Sequence, residues 1–188
     1  MKLNKLIAIA TISLLSGGIS MAQKALNLED IVAGNVIQTK GVGSMTWLKD
    51  GERYSRLENN KQTGGTDIVA YQAKDNSREV IIPSSLLTDK STGKPIPVRS
   101  ISWSADNEKV LIYNNTQRVW RYDTRGDYWV LNLKDGALRQ LGKGMPESSM
   151  MFAKFSPDGT RVAYVSNNNI YVEDIDSGKI TQLTEDGS

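Results

Sequence analysis

A pattern of one aromatic residue, a tight turn and a strand occurs three times in this chain of 188 residues, and it limits the possible folds more than any other feature. In each copy the aromatic residue is followed closely by Asp-Gly or Asp-Asn, and a run with strand character comes next. The aromatic residues are Trp47, Trp103 and Phe155, which lie 56 and 52 positions apart. Self-similarity at such a period indicates a protein built from repeated supersecondary units.

The third copy predicts one complete unit of four short antiparallel strands. Pro157 presets φ for the first corner of a turn, and Asp158-Gly159 completes the turn. Further strands are predicted at 161–165, 170–175 and 180–184, with turns at 167–169 and 176–179. A four-stranded meander of about 35 residues is one blade of a β-propeller, in which aromatic residues fill the space between blades.

The first two copies follow the same plan. Strands are predicted at 53–57, 67–72 and 78–82 in the first copy, and at 109–113, 128–133 and 137–141 in the second, where 114–127 is a long insertion. A small β-sandwich is the alternative, but the fixed order of elements in three copies favours blades. We therefore predict an all-β chain that holds an incomplete propeller of about three four-stranded antiparallel blades over residues 44–188. Closed propellers need about four to eight blades, so we expect a piece of a longer protein.

The N-terminus has the layout of a secretory signal peptide. Two lysines precede the apolar run 6–15, and small residues end at Ala22, which predicts cleavage after residue 22 and an exported, periplasmic or extracellular protein. The chain has 23 basic and 21 acidic residues; cleavage removes Lys2 and Lys5 and no acid, which leaves 21 of each. A neutral mature chain gives no reason to expect nucleic acid or a membrane as partner. Residues 23–43 are predicted to form an N-terminal segment with a short helix near 27–31.

Two absences exclude most catalytic chemistry from this chain. It contains no cysteine and no histidine, which rules out a Cys nucleophile, zinc–thiolate sites and a Ser-His-Asp triad. No Gly-x-Ser-x-Gly elbow is present. The acidic run from Asp174 lacks the ligand spacing of a calcium loop and is interpreted as a turn. We predict no catalytic residues, no metal and no cofactor in this chain.

One segment carries a resemblance to a known family. Trp120-Arg121 is followed by Tyr128 and then Asn132-Leu133, and the next predicted blade contains the run from Phe155 to Val172. This order resembles the N-terminal propeller of the dipeptidyl peptidase IV group in the prolyl oligopeptidase family of serine peptidases. The resemblance implies an eight-bladed propeller and a C-terminal α/β-hydrolase domain with the catalytic triad. It also implies release of dipeptides with Pro or Ala in second position, and a parent protein that can form a homodimer.

The resemblance further implies substrate-binding residues. Arg121 would hold a backbone carbonyl of the peptide substrate, with Trp120 beside it, and Arg125 is the alternative arginine. On the residues alone, Arg121 is better interpreted as a surface arginine that pairs with Asp123 or Asp127, and only with the resemblance are the two interpretations equally supported. A non-enzymatic periplasmic propeller that scaffolds protein contacts is the alternative function.

Overall fold

The computed structural model describes residues 27, 28, 32, 41 and 43–187. The chain divides into the units Met1–Val42 and Gly43–Ser188. In the first unit, Leu28 and Val32 are helical. The predicted signal peptide and most of the predicted helix at 27–31 lie outside the described residues. Within the described part of the chain, no helix has the length and apolar character needed to cross a membrane.

The described residues of the second unit form three four-stranded antiparallel sheets and one two-stranded sheet. Blade 1 consists of β1 (Thr46–Trp47), β2 (Arg53–Asn59), β3 (Thr66–Gln72) and β4 (Arg78–Ile82). A 3-10 helix (Ser84–Leu87) and the small hairpin of β5 (Thr88–Asp89) and β6 (Lys94–Pro95) follow. Blade 2 consists of β7 (Ser100–Trp103), β8 (Lys109–Val119), β9 (Tyr122–Asn132) and β10 (Leu138–Gln140). Blade 3 consists of β11 (Met151–Phe155), β12 (Arg161–Ser166), β13 (Asn169–Asp174) and β14 (Ile180–Gln182).

Each blade is a simple meander in which strands adjacent in sequence are hydrogen-bonded neighbours. This confirms the predicted partial β-propeller of about three blades. The repeated turns have the conformation that their sequences predict: φ is +70° at Gly51, +59° at Asn107 and +67° at Gly159. Each of these residues donates its N–H to the carbonyl three positions earlier, at 3.1, 2.9 and 2.9 Å. Glycine and asparagine tolerate positive φ, which is why they recur at this corner.

The hydrophobic cores lie between the blades. Successive residues of blade 2 point to opposite faces, because side chains alternate along a strand. Val110 and Ile112 therefore pack toward blade 1, whereas Leu111 packs toward blade 3. The core between blades 1 and 2 contains Ile68, Ile82, Leu87, Ile96, Val110, Ile112 and Leu131. The core between blades 2 and 3 contains Leu111, Tyr128, Val130, Leu141, Met150, Val162, Tyr164 and Ile175.

The aromatic residues of the repeat do not all fill cores. Trp103 and Phe155 pack against the two inter-blade cores, as expected. The prediction is wrong for Trp47, which is 60% exposed. It lies on β1, where its ring makes an edge-on contact with Tyr54 at 6.0 Å between centroids. Trp47 belongs to the first of the three blades, so it has no preceding described blade against which to pack.

Candidate functional site

The candidate site is the hairpin formed by β8 and β9, each of which has 11 residues. Its inner half continues the sheet of blade 2 between the two cores. Its outer half corresponds to the predicted insertion at 114–127, which is thus an extension of two strands. Val119 pairs with Tyr122 across a two-residue turn, and that turn is Trp120-Arg121. The sequence therefore folds so that the predicted pair of site residues forms the hairpin tip.

Two irregularities in the register shape the outer half. Between the pairs Asn114–Asp127 and Gln117–Arg125, the β8 strand has one residue more than its partner. The next shift, before Arg118 pairs with Asp123, places the extra residue on β9. Bulges of this kind bend a strand and change the direction of its side chains. Here the first bulge lies on β8 and the second, immediately after it along the hairpin, lies on β9.

The base of the hairpin is held by a buried carboxylate. Asp127 is 6% exposed and accepts a hydrogen bond from the backbone N–H of Ser148 at 2.8 Å and from Nδ2 of Asn115 at 2.7 Å. Gly126 and Met150 exchange backbone hydrogen bonds of 3.0 and 3.1 Å, which join β9 to the start of blade 3. The hairpin is thus fixed to two blades at its base.

Blade 1 uses an equivalent carboxylate in the same way. Asp67, near the start of its third strand, accepts hydrogen bonds from the N–H of Ser84 at 2.7 Å and from Nδ2 of Asn60 at 3.0 Å. In both blades the carboxylate satisfies a backbone donor in the connection to the next blade, a group that would be costly to leave unpaired. Asp67 and Asp127 are therefore structural residues of the repeat.

Arg121 is free to bind a ligand at the tip. Its side chain is exposed, and it makes no hydrogen bond or ion pair with any residue in the described part of the chain. The alternative pairing with Asp123 or Asp127 is wrong. Asp123 instead accepts from Arg99, with Nη2 at 3.1 Å, and Asp127 is occupied at the hairpin base. A guanidinium without an internal partner retains all of its donors for a carbonyl or a carboxylate.

The other two predicted residues occupy different positions. Trp120 is 93% exposed and has a φ of +61°, a region that side-chain-bearing residues rarely adopt. Arg125 lies four residues beyond Arg121 on β9, opposite Gln117, and its exposed side chain also has no partner among the described residues. Arg121 lines an open hollow of about 300 Å³ at the tip, whereas Arg125 does not line it.

Sequence reasoning missed the residues that complete the tip. The hollow is also lined by Arg99 and Arg118, of which Arg99 comes from the segment before β7. Tyr113 supports the hollow from below, because its hydroxyl donates to the carbonyl oxygen of Asp123 at 3.0 Å. Burial, together with the neighbouring Tyr128 and Asp123, raises the pKa of Tyr113 from 10.0 to about 12. Of these residues, Arg118 lies nearest to Arg121 in the sequence, three positions before it.

Residues 104–188 match the dipeptidyl peptidase IV (DPP IV) N-terminal region. A probable dipeptidyl-aminopeptidase B of Aspergillus terreus is 25% identical over 181 residues, which cover 92% of this chain and 20% of that protein. The crystal structure of Porphyromonas gingivalis dipeptidyl peptidase 4 superposes with a TM-score of 0.68 and 22% identity over 88% of this chain and 22% of that one. Residues 104–188 thus resemble the N-terminal region of the dipeptidyl peptidase IV family.

The family match contains the candidate site. The matched residues 104–188 include the whole β8–β9 hairpin and all of blade 3. A probable dipeptidyl-aminopeptidase B of Phaeosphaeria nodorum is 32% identical over 84 residues, or 45% of this chain and 9% of that protein. The chain thus spans about a fifth or less of the length of these dipeptidyl peptidase relatives.

A second hollow, of about 670 Å³, lies between blades 2 and 3, and its chemistry is structural. Glu173 is 2% exposed there and accepts hydrogen bonds from the N–H of Gly142 at 2.8 Å, from the hydroxyl of Tyr164 at 3.2 Å and from Nη2 of Arg139 at 3.2 Å. Burial and the Glu173 carboxylate raise the pKa of Tyr164 well above its ordinary value. Donors from both blades thus meet at Glu173, and Nη2 of Arg139 also donates to the carbonyl oxygen of Asp174 at 3.1 Å, so this cluster ties the blades together. Within the described residues, no group of three acidic side chains is placed to hold a metal ion.

Proposed function

We propose that this chain supplies part of the substrate-facing propeller of an exported serine dipeptidyl peptidase. The parent protein would release N-terminal dipeptides with Pro or Ala in second position. The observation that carries the proposal is Arg121: it lies within the family match, forms the tip of a hairpin anchored to two blades, and has no partner among the described residues. Export rests on the sequence of residues 1–22.

In this proposal the chain binds and orients the peptide, while the hydrolase chemistry belongs to a following domain. Arg121 donates hydrogen bonds to a backbone carbonyl of the substrate, and the exposed indole of Trp120 covers the peptide from one side. The hairpin base holds both residues in place through Asp127. Arg125 remains the alternative donor, farther from the tip.

The first test is the reading frame beyond codon 188. A frame that continues into a Gly-x-Ser-x-Gly elbow with a later Asp and His supports the peptidase. A stop codon, or further blades without an elbow, contradicts it and favours the scaffold protein.

The second test measures cleavage by the intact gene product. Chromogenic Ala-Pro and Gly-Pro substrates should be cleaved, and Arg121→Ala should lower kcat/KM by roughly ten- to a hundred-fold, the worth of a charge-assisted hydrogen bond. Arg161→Ala, which removes an exposed arginine of blade 3, is the matched control and should retain activity. A larger loss with Arg125→Ala than with Arg121→Ala would transfer the role to Arg125.

A further inference from the structure

The hollow at the hairpin tip has an excess of positive charge. It is lined by Arg99, Arg118, Arg121, Tyr122 and Asp123, and we refer to it as the arginine hollow. Oδ2 of Asp123 accepts from both Nε and Nη2 of Arg99, at 3.2 and 3.1 Å. One carboxylate therefore neutralises one of three guanidiniums. The hollow keeps two formal positive charges.

Arg118 is the unexplained member of this group. It lies directly opposite Asp123 in the β8–β9 register, which is the position where an ion pair is expected. Yet Asp123 bonds to Arg99 instead, and the Arg118 guanidinium has no hydrogen bond or ion pair within the described residues. Arg118 and Arg121 thus line the same hollow without an acid of their own among the described residues, so their like charges repel each other. A carboxylate that enters the hollow would relieve this repulsion.

The chemistry of the hollow selects the ligand class. Guanidinium groups present paired N–H donors that match the two oxygens of a carboxylate. Tyr122, 73% exposed, lines the hollow, and Trp120, 93% exposed, precedes Arg121 in the turn, so both rings can contact the chain of a peptide. The ligand that fits is therefore a peptide that carries a carboxylate on a side chain.

We propose that Arg118, with Arg99 and Asp123 as its support, binds an Asp or Glu side chain of the peptide C-terminal to the released dipeptide. This inference rests on the proposed function, since it places the acidic residue next to the backbone held by Arg121. It makes Arg118 a specificity residue, distinct from Arg121. The parent enzyme then prefers peptides with acidic residues just after the cleaved bond.

Binding to the 188-residue chain tests the proposal directly. The probes are the peptides Ala-Pro-Glu-Glu-Gly-amide and Ala-Pro-Gln-Gln-Gly-amide, whose amide ends remove the terminal carboxylate, titrated by calorimetry. We expect the Glu peptide to bind about five-fold more tightly at low salt, the upper range for an exposed ion pair. The difference should shrink at 0.5 M salt, where the screening length falls to about 4 Å.

Two variants distinguish a specific contact between Arg118 and the peptide from a general electrostatic attraction of the acidic peptide to the chain. Arg118→Gln should abolish the preference for the Glu peptide, whereas Arg161→Gln, an exposed arginine of blade 3, should preserve it. Circular dichroism checks that both variants keep their β-structure. Equal affinities of the two peptides for the unaltered chain, or a preference that survives Arg118→Gln, overturns the proposal.

The outcomes for binding and for peptidase function can be told apart. If the intact gene product cleaves neither peptide, the peptidase proposal fails, while the binding preference is judged on the titration alone. If it cleaves both with equal kcat/KM and the chain binds both equally, the peptidase proposal stands and the acidic preference is overturned.

Discussion

At the level of single residues, a serine controls the ionisation of an aspartate in the turn of blade 2. Ser104 is 2% exposed; its hydroxyl donates to Oδ1 of Asp106 at 2.6 Å and accepts from the N–H of Lys109 at 2.9 Å. This bond, with a second from the N–H of Glu108, lowers the pKa of Asp106 from 3.8 to about 2. A lowered pKa in the folded state stabilises the fold above pH 4, and the contribution disappears as the pH falls through 2.

Ser104→Ala tests this account. Loss of the donor should raise the pKa of Asp106 toward 3.8, so that its stabilising effect is lost nearer pH 4 than pH 2. The free energy of unfolding at pH 7 should fall by about 2 kcal/mol, because the change removes both the donor to Asp106 and the acceptor of the Lys109 N–H, at about 1 kcal/mol each. Carboxyl NMR titration measures the pKa. Ser156→Ala, at the equivalent position of blade 3, is the control: it should shift the pKa of Asp158 and leave Asp106 unchanged.

Gly126 is required at the hairpin base for a steric reason. A Cβ at this position would meet the ring of Tyr113 and would lie 2.6 Å from the carbonyl oxygen of Asn114. The strand cannot shift away, because Gly126 is bonded to Met150 on both its N–H and its carbonyl. Gly126→Ala should therefore reduce the free energy of unfolding by about 2 kcal/mol in urea denaturation. Gly41→Ala, where no described atom lies within 4 Å, should change it little.

At the level of elements, the tip of the β8–β9 hairpin holds a residue in a strained backbone conformation. Two-residue turns favour Gly or Asn where φ is positive, yet Trp120 holds φ at +61°. Trp120→Gly should raise the free energy of unfolding by about 1 kcal/mol because it removes this strain. The same change should weaken peptide binding, since it deletes the exposed indole. A thermal melt that shows no gain would contradict the strain assigned to Trp120.

The link between blades 2 and 3 depends on Glu173. Glu173→Ala leaves the Gly142 N–H and the Tyr164 hydroxyl without their acceptor and removes the ion-pair partner of Arg139, which should cost about 3 kcal/mol or more. Glu79→Ala removes a surface partner of Arg53, 3.4 Å away and well exposed, and should cost less than about 1 kcal/mol. Urea denaturation of both variants makes the comparison. Similar losses would show that burial adds nothing to the Glu173 contact.

Sequence could predict the blade elements because their turns carry local signals. The strand at 78–82 has the predicted bounds, and Gly159 occupies the predicted corner. The hairpin tip was beyond such reasoning for two reasons. Trp120 has a backbone conformation for which tryptophan gives no sequence signal. The freedom of Arg121 depends on the pairing of Asp123 with Arg99, which lies 24 positions away and meets it only in the folded sheet.

At the level of the whole molecule, blade 2 is buried on both faces, whereas blade 3 has one uncovered face. Ile112, in the core between blades 1 and 2, is 0% exposed. Ile170, on β13, is 43% exposed, and Phe152 and Leu183 of the same blade are 64% and 59% exposed. Blades bury their faces only against neighbours, so a longer gene product should cover these residues with a further blade.

The difference in burial between blades 2 and 3 can be measured with two substitutions, each made in the 188-residue chain and in the intact gene product. In the 188-residue chain, Ile112→Ala should cost about 3 kcal/mol, the usual value for a buried isoleucine, and Ile170→Ala less than about 1 kcal/mol. In the intact gene product, a following blade would bury Ile170, and its substitution should then approach the cost of Ile112→Ala. Urea denaturation, followed by tryptophan fluorescence, gives all four values. If Ile170→Ala lowers the free energy of unfolding only slightly in both the 188-residue chain and the intact gene product, this face of blade 3 lies at the surface of the parent protein. That result would contradict a further blade packed against blade 3.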